Sequence, residues 1–194
     1  LDAILGGLQA GQLVLVGAEP PVIFFADRQL PSYLVPDGCA VVRLNHRHED
    51  GAGALSALAA EVGASVAAPD TSAPRPALPS GPLNTRSVSQ IMAALAPDDS
   101  IVATDSGGGG AAYPVMQRAV RATFLSLTGG SIGQGGPVAV GAALACPDRQ
   151  TFALLGDGGA MYTNQFLWTA ARERLNLITV IFSNRSYGIL DVEY

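Results

Sequence analysis

Asp157 lies among glycines in Gly156-Asp157-Gly158-Gly159, at the end of the apolar run 151–155, and Asn184 follows 27 positions later, beyond the apolar run 177–182. That separation is the length of one strand–helix–strand crossover, which sets side chains at the two strand ends beside one another. A carboxylate and a carboxamide oxygen at neighbouring tips suit a hard divalent cation. Mg²⁺ takes about six oxygens, one or two of them carboxylates, and leaves the rest to phosphate and water. The glycines permit close backbone approach to a ligand, and the amides around Gly158, at the start of the next helix, can hold phosphate oxygens. The chemistry indicated is a metal-bridged diphosphate. The alternative for both residues is plain turn formation, which Asp-Gly and Asn favour.

The elements that must position these groups follow from the hydrophobic pattern. Residues 12–16, 23–25 and 40–44 read as strands, and 54–62 as a helix of small residues. Prolines at 69, 74, 76, 79 and 82 then oppose helix and sheet alike, so a linker and a domain boundary fall there. Beyond it, 85–95 is a helix with Asn84 or Thr85 as N-cap and Pro97 closing it. The strands 101–104, 123–127, 151–155 and 177–182 alternate with helices over 113–121, 137–145 and 164–174. Strands apolar throughout and separated by helices indicate a parallel sheet covered on both faces. Such sheets bind ligands at the carboxyl ends of their strands. The glycine clusters 107–110, 129–136 and 156–159 all fall at that edge.

Composition removes several other chemistries. All eleven basic residues are Arg, so the amine needed for a Schiff base or for the phosphate loop ending in Lys-Ser/Thr is missing from these 194 residues. A net charge of −5 without a basic block argues against nucleic acid and anionic membrane as partners. With 48% hydrophobic and 14% charged residues the chain can bury a core. Residues 122–146 carry no charge, but six glycines break them, and they read as a buried strand, a glycine loop and a buried helix rather than a membrane span. Gly107–Gly110 with Ala112 fits a loose dinucleotide-binding pattern, yet no acidic residue stands about twenty positions further on. Cys39 and Cys146 follow no metal spacing and read as small buried residues in a reducing compartment. His46 and His48 read as a solvated loop, Trp168 as a core residue between helix and sheet, and Arg172 and Arg174 with Glu173 as a solvated helix end. Tyr187, Ile189 and Leu190 could equally pack in the core or line a small apolar pocket.

The run from Gly156-Asp157-Gly158 to Ser183-Asn184, with Ala160-Met161-Tyr162, Gln165 and Leu167-Trp168-Thr169-Ala170 between, resembles the metal–diphosphate signature of thiamine-diphosphate enzymes. Leu127-Thr128-Gly129-Gly130-Ser131-Ile132-Gly133-Gln134-Gly135 and Asn184-Arg185-Ser186-Tyr187-Gly188-Ile189-Leu190 resemble the acetolactate synthase large-subunit-like branch, which overlaps with enzymes of the benzoylformate decarboxylase type. The resemblance implies a three-layer α/β fold in which residues 84–194 form the diphosphate-binding domain, truncated at its C-terminal end. Residues 1–68 would be part of a middle α/β domain and 69–83 the Pro-rich linker.

Carried over, the resemblance implies thiamine diphosphate and Mg²⁺ as cofactors, with the metal on Asp157, Asn184 and the main-chain oxygen of Ser186. The Asp105–Gly108 loop, through Ser106, Gly107 and Gly108, would lie on one side of the diphosphate, and Gly156, Asp157, Gly158, Gly159 and Asn184 on the other. Ile132 would be the apolar wedge beneath the thiazolium, and Gly130 and Ile132 would meet the aminopyrimidine. Ser183 departs from the common pattern, which has Asn there. The glutamate that activates the cofactor belongs, in the family, to the N-terminal pyrimidine-binding domain of a partner subunit, and no glutamate here sits in a matching motif. The expectation is therefore a fragment of a cytoplasmic homodimer or homotetramer acting on a small 2-oxo acid. The activity implied is conversion of pyruvate to 2-acetolactate, with benzoylformate-type decarboxylation, or a cofactor-binding remnant without catalysis, as the alternatives.

Overall fold

The computed structural model describes residues 10–23, 28, 31–64, 73–188 and 190, and divides the chain into two compact units, Leu1–Ala68 and Pro69–Tyr194. In the smaller unit β1 (Gln12–Val16) pairs in parallel with β2 (Ala40–Asn45), and the register slips between Leu15 and Val16 so that Val16 faces Asn45. The buried Asn45 carboxamide accepts the Gly17 N–H at 3.0 Å and donates to the His46 carbonyl at 2.8 Å, tying the two strand ends together. Helix α1 (Gly51–Glu61) follows, capped by the Asp50 carboxylate on the Gly53 N–H. Of the strand expected over 23–25, Phe24 and Phe25 lie outside the described residues. Ile23 is not in a strand, and its neighbour Val22 forms an isolated antiparallel bridge with Tyr33. His46 and His48 stack on one another in an exposed turn, as a solvated loop would.

The larger unit opens with α2 (Thr85–Leu95). Its start is a capping box: the Asn84 side chain accepts the Ser87 N–H and the Ser87 hydroxyl accepts the Asn84 N–H. There follow β3 (Ser100–Thr104), α3 (Gly107–Gly110), α4 (Ala112–Met116), β4 (Ala122–Leu125), α5 (Gly135–Ala145), β5 (Thr151–Gly156), α6 (Asp157–Tyr162), α7 (Phe166–Arg172) and β6 (Leu177–Phe182). The four strands are all parallel, in the order β4-β3-β5-β6. β3 is buried along its whole length, and β5 up to Leu155, because both lie in the middle of the sheet under helices on either side. Period-2 alternation divides their side chains. Val102, Phe152 and Leu154 meet Met92, Ala93, Ala112 and Met116 of α2 and α4, whereas Ala103, Ala153 and Leu155 meet α5, Ala160 and Phe166. Small residues bring α5 close. A Cβ on Gly136 would overlap the Phe166 ring, so that ring packs directly on the helix backbone.

Several element boundaries differ from the sequence pattern. The helix expected over 113–121 ends at Met116, and the strand expected over 123–127 ends at Leu125. Glycines 107–110, the first two of them expected in the Asp105–Gly108 loop, form a single helical turn closed by the Ser106 hydroxyl on the Gly109 N–H. The single helix expected over 164–174 is α7 alone, preceded by the separate α6 that begins directly at Asp157. The uncharged 122–146 stretch is a strand, a loop and a helix, and no helix among the described residues is long and apolar enough to cross a membrane.

Two side chains also depart from expectation. Trp168 is not in the core but 64% exposed. Phe166 and Ala170, one turn apart, take the sheet-facing side of α7, and a residue two positions from Phe166 then points about 200° away around a 3.6-residue turn. The Arg172 guanidinium sits 4.6 Å from the indole centroid and covers part of it. Cys39 and Cys146 are free thiols, half-buried rather than buried.

The end of α7 generates a stability prediction. The Leu175 N–H bonds to the Ala170 carbonyl and the Arg174 N–H to that of Ala171, with Arg174 at φ 51°. This is a Schellman termination carried by a residue with a Cβ where glycine is strain-free. Arg174→Gly is expected to raise unfolding free energy by about 0.5–1 kcal/mol in urea denaturation; a decrease would mean that the Arg174 side chain outweighs its backbone strain.

Candidate functional site

The last β5–β6 backbone pair is Gly156 opposite Phe182, so Asp157 and Ser183 are the first residues past the sheet on adjacent strands. The Asp157 carboxylate joins the two tips. Its Oδ1 accepts the Gly158 N–H at 3.0 Å, and its Oδ2 accepts the Arg185 N–H at 2.8 Å and the Ser183 hydroxyl at 3.2 Å. Arg185 holds φ 56°, a left-handed conformation uncommon outside glycine, and this turns its N–H back toward the carboxylate. The Arg185 bond first, then the Gly158 and Ser183 bonds, hold the Asp157 carboxyl below its ordinary 3.8, against partial burial, which pushes it up. The bonds thus favour the ionised form of a group that is anionic at neutral pH in any case.

Asn184 lies between Ser183 and Arg185, two of the three residues that donate to Asp157. Its Oδ1 accepts the Ser186 N–H at 3.0 Å, an Asx turn that fixes the carboxamide and leaves the oxygen a second lone pair. Asp157, Gly158, Met161, Arg185, Ser186 and Tyr187 line one open cavity of about 220 Å³. A Cβ on Gly158 would stand 2.6 Å from the Tyr187 ring, so the glycine is what admits the ring there. Tyr187 and Leu190 are exposed rather than packed in the core, and Ile189 lies outside the described residues.

The tip of β3 borders the same edge. Ser106 lies beside Gly156, where an added Cβ would come within 3.5 Å of the serine Cβ, and the turn Gly107–Gly110 follows it. Gly130 and Ile132 belong to the loop between β4 and α5, where the Ile132 N–H bonds to the Gly130 carbonyl at 2.9 Å. Ile132 is 42% exposed and is not among the residues lining the Asp157 cavity. Its loop is nevertheless fixed to the end of α6, where the Thr163 hydroxyl donates to the Gly133 carbonyl at 2.6 Å. Gly133, at φ 94°, is wedged so closely against Tyr162 that any side chain would collide.

The sequence places Asp105 only at the start of the loop beside the diphosphate, with no role of its own. Only 8% exposed, it follows β3 directly, and its Oδ2 accepts the N–H groups of Gly133 and Gly135, each at 3.2 Å. A signal existed: an acidic residue immediately after a fully apolar strand must find donors if it is buried. Which donors those would be was not legible.

The donor set suits a hard cation with an anionic ligand. One carboxylate of fixed orientation lines a solvent-accessible cavity together with Gly158 and Ser186, and the Asn184 carboxamide stands on the adjoining β6 tip, outside the residues that line it. Among the described residues no cluster of three or more His, Cys, Asp and Glu gathers, so a cation here would depend on neutral oxygens and on its ligand for the rest of its shell.

Comparison with known proteins bears on the same residues. Residues 104–193 match the family described as thiamine pyrophosphate enzyme, C-terminal TPP binding domain. The chain is 47% identical over 184 residues to a Mycobacterium tuberculosis protein provisionally named acetolactate synthase large subunit IlvX, covering 93% of this chain and 35% of that protein. It is 32% identical over 201 residues to benzoylformate decarboxylase of Pseudomonas aeruginosa, covering 94% of this chain and 38% of the enzyme. The solved structure of a thiamine diphosphate-dependent 4-hydroxybenzoylformate decarboxylase from Rhodococcus jostii superposes with a TM-score of 0.62 at 26% identity, over 92% of this chain and 37% of that one. The chain thus spans little more than a third of the length of these relatives.

The fixed Asp157 carboxylate makes a pH prediction. A depressed folded-state pKa contributes stability that is fully present above the unfolded value and lost as pH falls through the folded one. The Arg185 amide resonance should therefore hold its position through mildly acidic pH and move with a single midpoint below 3.8. A midpoint at or above 3.8 would mean that the bonds to Asp157 do not persist in solution.

Proposed function

We propose that this chain, whose residues 104–193 match the C-terminal TPP-binding domain of thiamine pyrophosphate enzymes, binds the diphosphate of the cofactor through Mg²⁺ at the carboxyl edge of its sheet. The observation that carries the reading is the Asp157 carboxylate, anchored by three donors from both strand tips and facing the cavity it shares with Ser186. In this reading Asp157, Asn184 and the main-chain oxygen of Ser186 hold the metal. Gly158 and Gly159, at the first turn of α6, flank the phosphate oxygens, the Gly158 N–H being the one that Asp157 already accepts, and Ser106 with Gly107 and Gly108 closes the other side. Mg²⁺ would supply positive charge for the diphosphate in a chain without lysine, at a cavity that Arg185 also lines.

Bound thiamine diphosphate supplies carbanion chemistry at a 2-oxo carbon, which no side chain provides. The chain's own residues hold and orient the cofactor. In this reading Ile132 and Gly130, on the loop fixed to α6, support the ring end of the cofactor, with Ile132 as the apolar wedge. The glutamate that activates the cofactor is assigned to a partner subunit's pyrimidine-binding domain, so the catalytic unit is a homodimer or a higher homo-oligomer.

For the whole protein we assign a 2-oxo-acid substrate and, on the 47% identity to the acetolactate synthase-like protein, carboligation of pyruvate to 2-acetolactate. The 32% identity to benzoylformate decarboxylase over nearly the same residues favours decarboxylation of an aryl 2-oxo acid as the second reading. Product analysis of the full-length protein with pyruvate and with benzoylformate separates the two, and turnover of neither would leave a cofactor-binding protein without catalysis.

Titration calorimetry tests the site itself. Thiamine diphosphate should bind only with Mg²⁺ present, and Asn184→Ala or Asp157→Ala should weaken that binding by roughly 10–100-fold. Binding indifferent to the metal, or unchanged in both variants, would remove Asp157 and Asn184 from the site.

A further inference from the structure

We propose that Asp105 is a positioning residue, latching the 129–135 loop to the tip of β3 and so fixing the segment that carries Ile132 against the first turn of α6. One oxygen of this buried carboxylate serves two backbone donors, the N–H groups of Gly133 in the loop and of Gly135 where the loop enters α5. The other loop bonds are of different kinds. Gln134 closes the loop on itself through the Thr128 N–H and hydroxyl, and Thr163 holds it to the end of α6. Among the described residues, the hydrogen bonds from this loop to the sheet edge end on Asp105.

The second oxygen gives the latch its direction. Asp105 Oδ1 is buried with no hydrogen-bond partner, and a Cβ on Gly159 would stand only 3.1 Å from it. The carboxylate therefore lies where β3, the loop and α6 meet, and the glycine of α6 approaches it because no side chain intervenes. Space on the loop side is equally tight, since a Cβ on Gly135 would lie 3.1 Å from the Asp105 carboxyl carbon and 2.7 Å from Leu155. A buried acceptor without a partner is unfavourable and rare in a part that serves stability alone. It is retained here between the two segments that the proposed function places at the ring end and the diphosphate end of one cofactor. The link from latch to cofactor rests on that proposed function; the latch itself does not.

Amide hydrogen exchange on the full chain without ligand, followed by titration of thiamine diphosphate with Mg²⁺, tests both parts in wild type, Asp105→Ala and Asp105→Asn. In Asp105→Ala the Gly133 and Gly135 amides should exchange at least roughly tenfold faster while β5 keeps its protection, and cofactor affinity should fall about tenfold. Asp105→Asn keeps an oxygen that accepts both N–H groups, so it should stay within about threefold of wild type in both measurements. Unchanged loop exchange in Asp105→Ala would overturn the latch. Faster loop exchange with unchanged affinity would overturn its role in positioning, as would loss of β5 protection in both variants. If the wild-type chain takes up no thiamine diphosphate, the proposed function fails and the positioning role falls with it, while the exchange rates still decide the latch.

Discussion

Backbone N–H groups that leave a parallel sheet at its carboxyl edge have no further ladder partner, and here two carboxylates collect them. Asp157 takes those of Gly158 and Arg185 and so ties the tip of β5 to that of β6. Asp105 takes those of Gly133 and Gly135 and ties the tip of β3 to the loop before α5. Each is a charge-assisted bond in a setting partly shielded from water, where such bonds are stronger than neutral ones. The shape of the edge depends on them, because the loops they fix are rich in glycine and have little rigidity of their own.

The opposite edge is held differently. There Arg121 pairs with Asp99 and Arg75 with Asp98, with much of each side chain in solvent. Exposed pairs of that kind contribute little to stability and are screened by salt. The asymmetry follows from what each edge must do. The amino edge only has to end the sheet, whereas the carboxyl edge has to present backbone groups in a fixed arrangement around a cavity. Small residues make that possible: Ala103 and Ala153 let α5 lie close to the sheet, and Gly133, Gly158 and Gly159 let loop and helix backbones approach Tyr162, Tyr187 and Asp105.

Much of the architecture was legible before any coordinates. The runs at 12–16, 85–95 and 177–182 match their elements residue for residue, since each is set by a local pattern: an apolar run, a cap, a following proline. The parallel sheet was legible for the same reason, from apolar strands separated by helices. Trp168 was not. Phe166 and Trp168 compete for one face of α7, and residue type does not say which of them the preceding turn rotates inward. Nor was the short helix over the four glycines at 107–110, where propensity speaks against helix and the Ser106 cap decides otherwise.

For the site, the division follows distance along the chain. Asp157, Asn184 and the glycines around them are readable from the sequence because their spacing is that of one crossover, and a crossover leaves little freedom in where its ends come out. That Asp157 accepts from Arg185 across 28 positions, and Asp105 from Gly133 and Gly135 across 28 and 30, only the tertiary structure decides. Those bonds depend on how far each loop turns after its strand, on a left-handed Arg185 and on glycines at points of contact. Such angles arise when strands, loops and helices pack together, and no single segment encodes them.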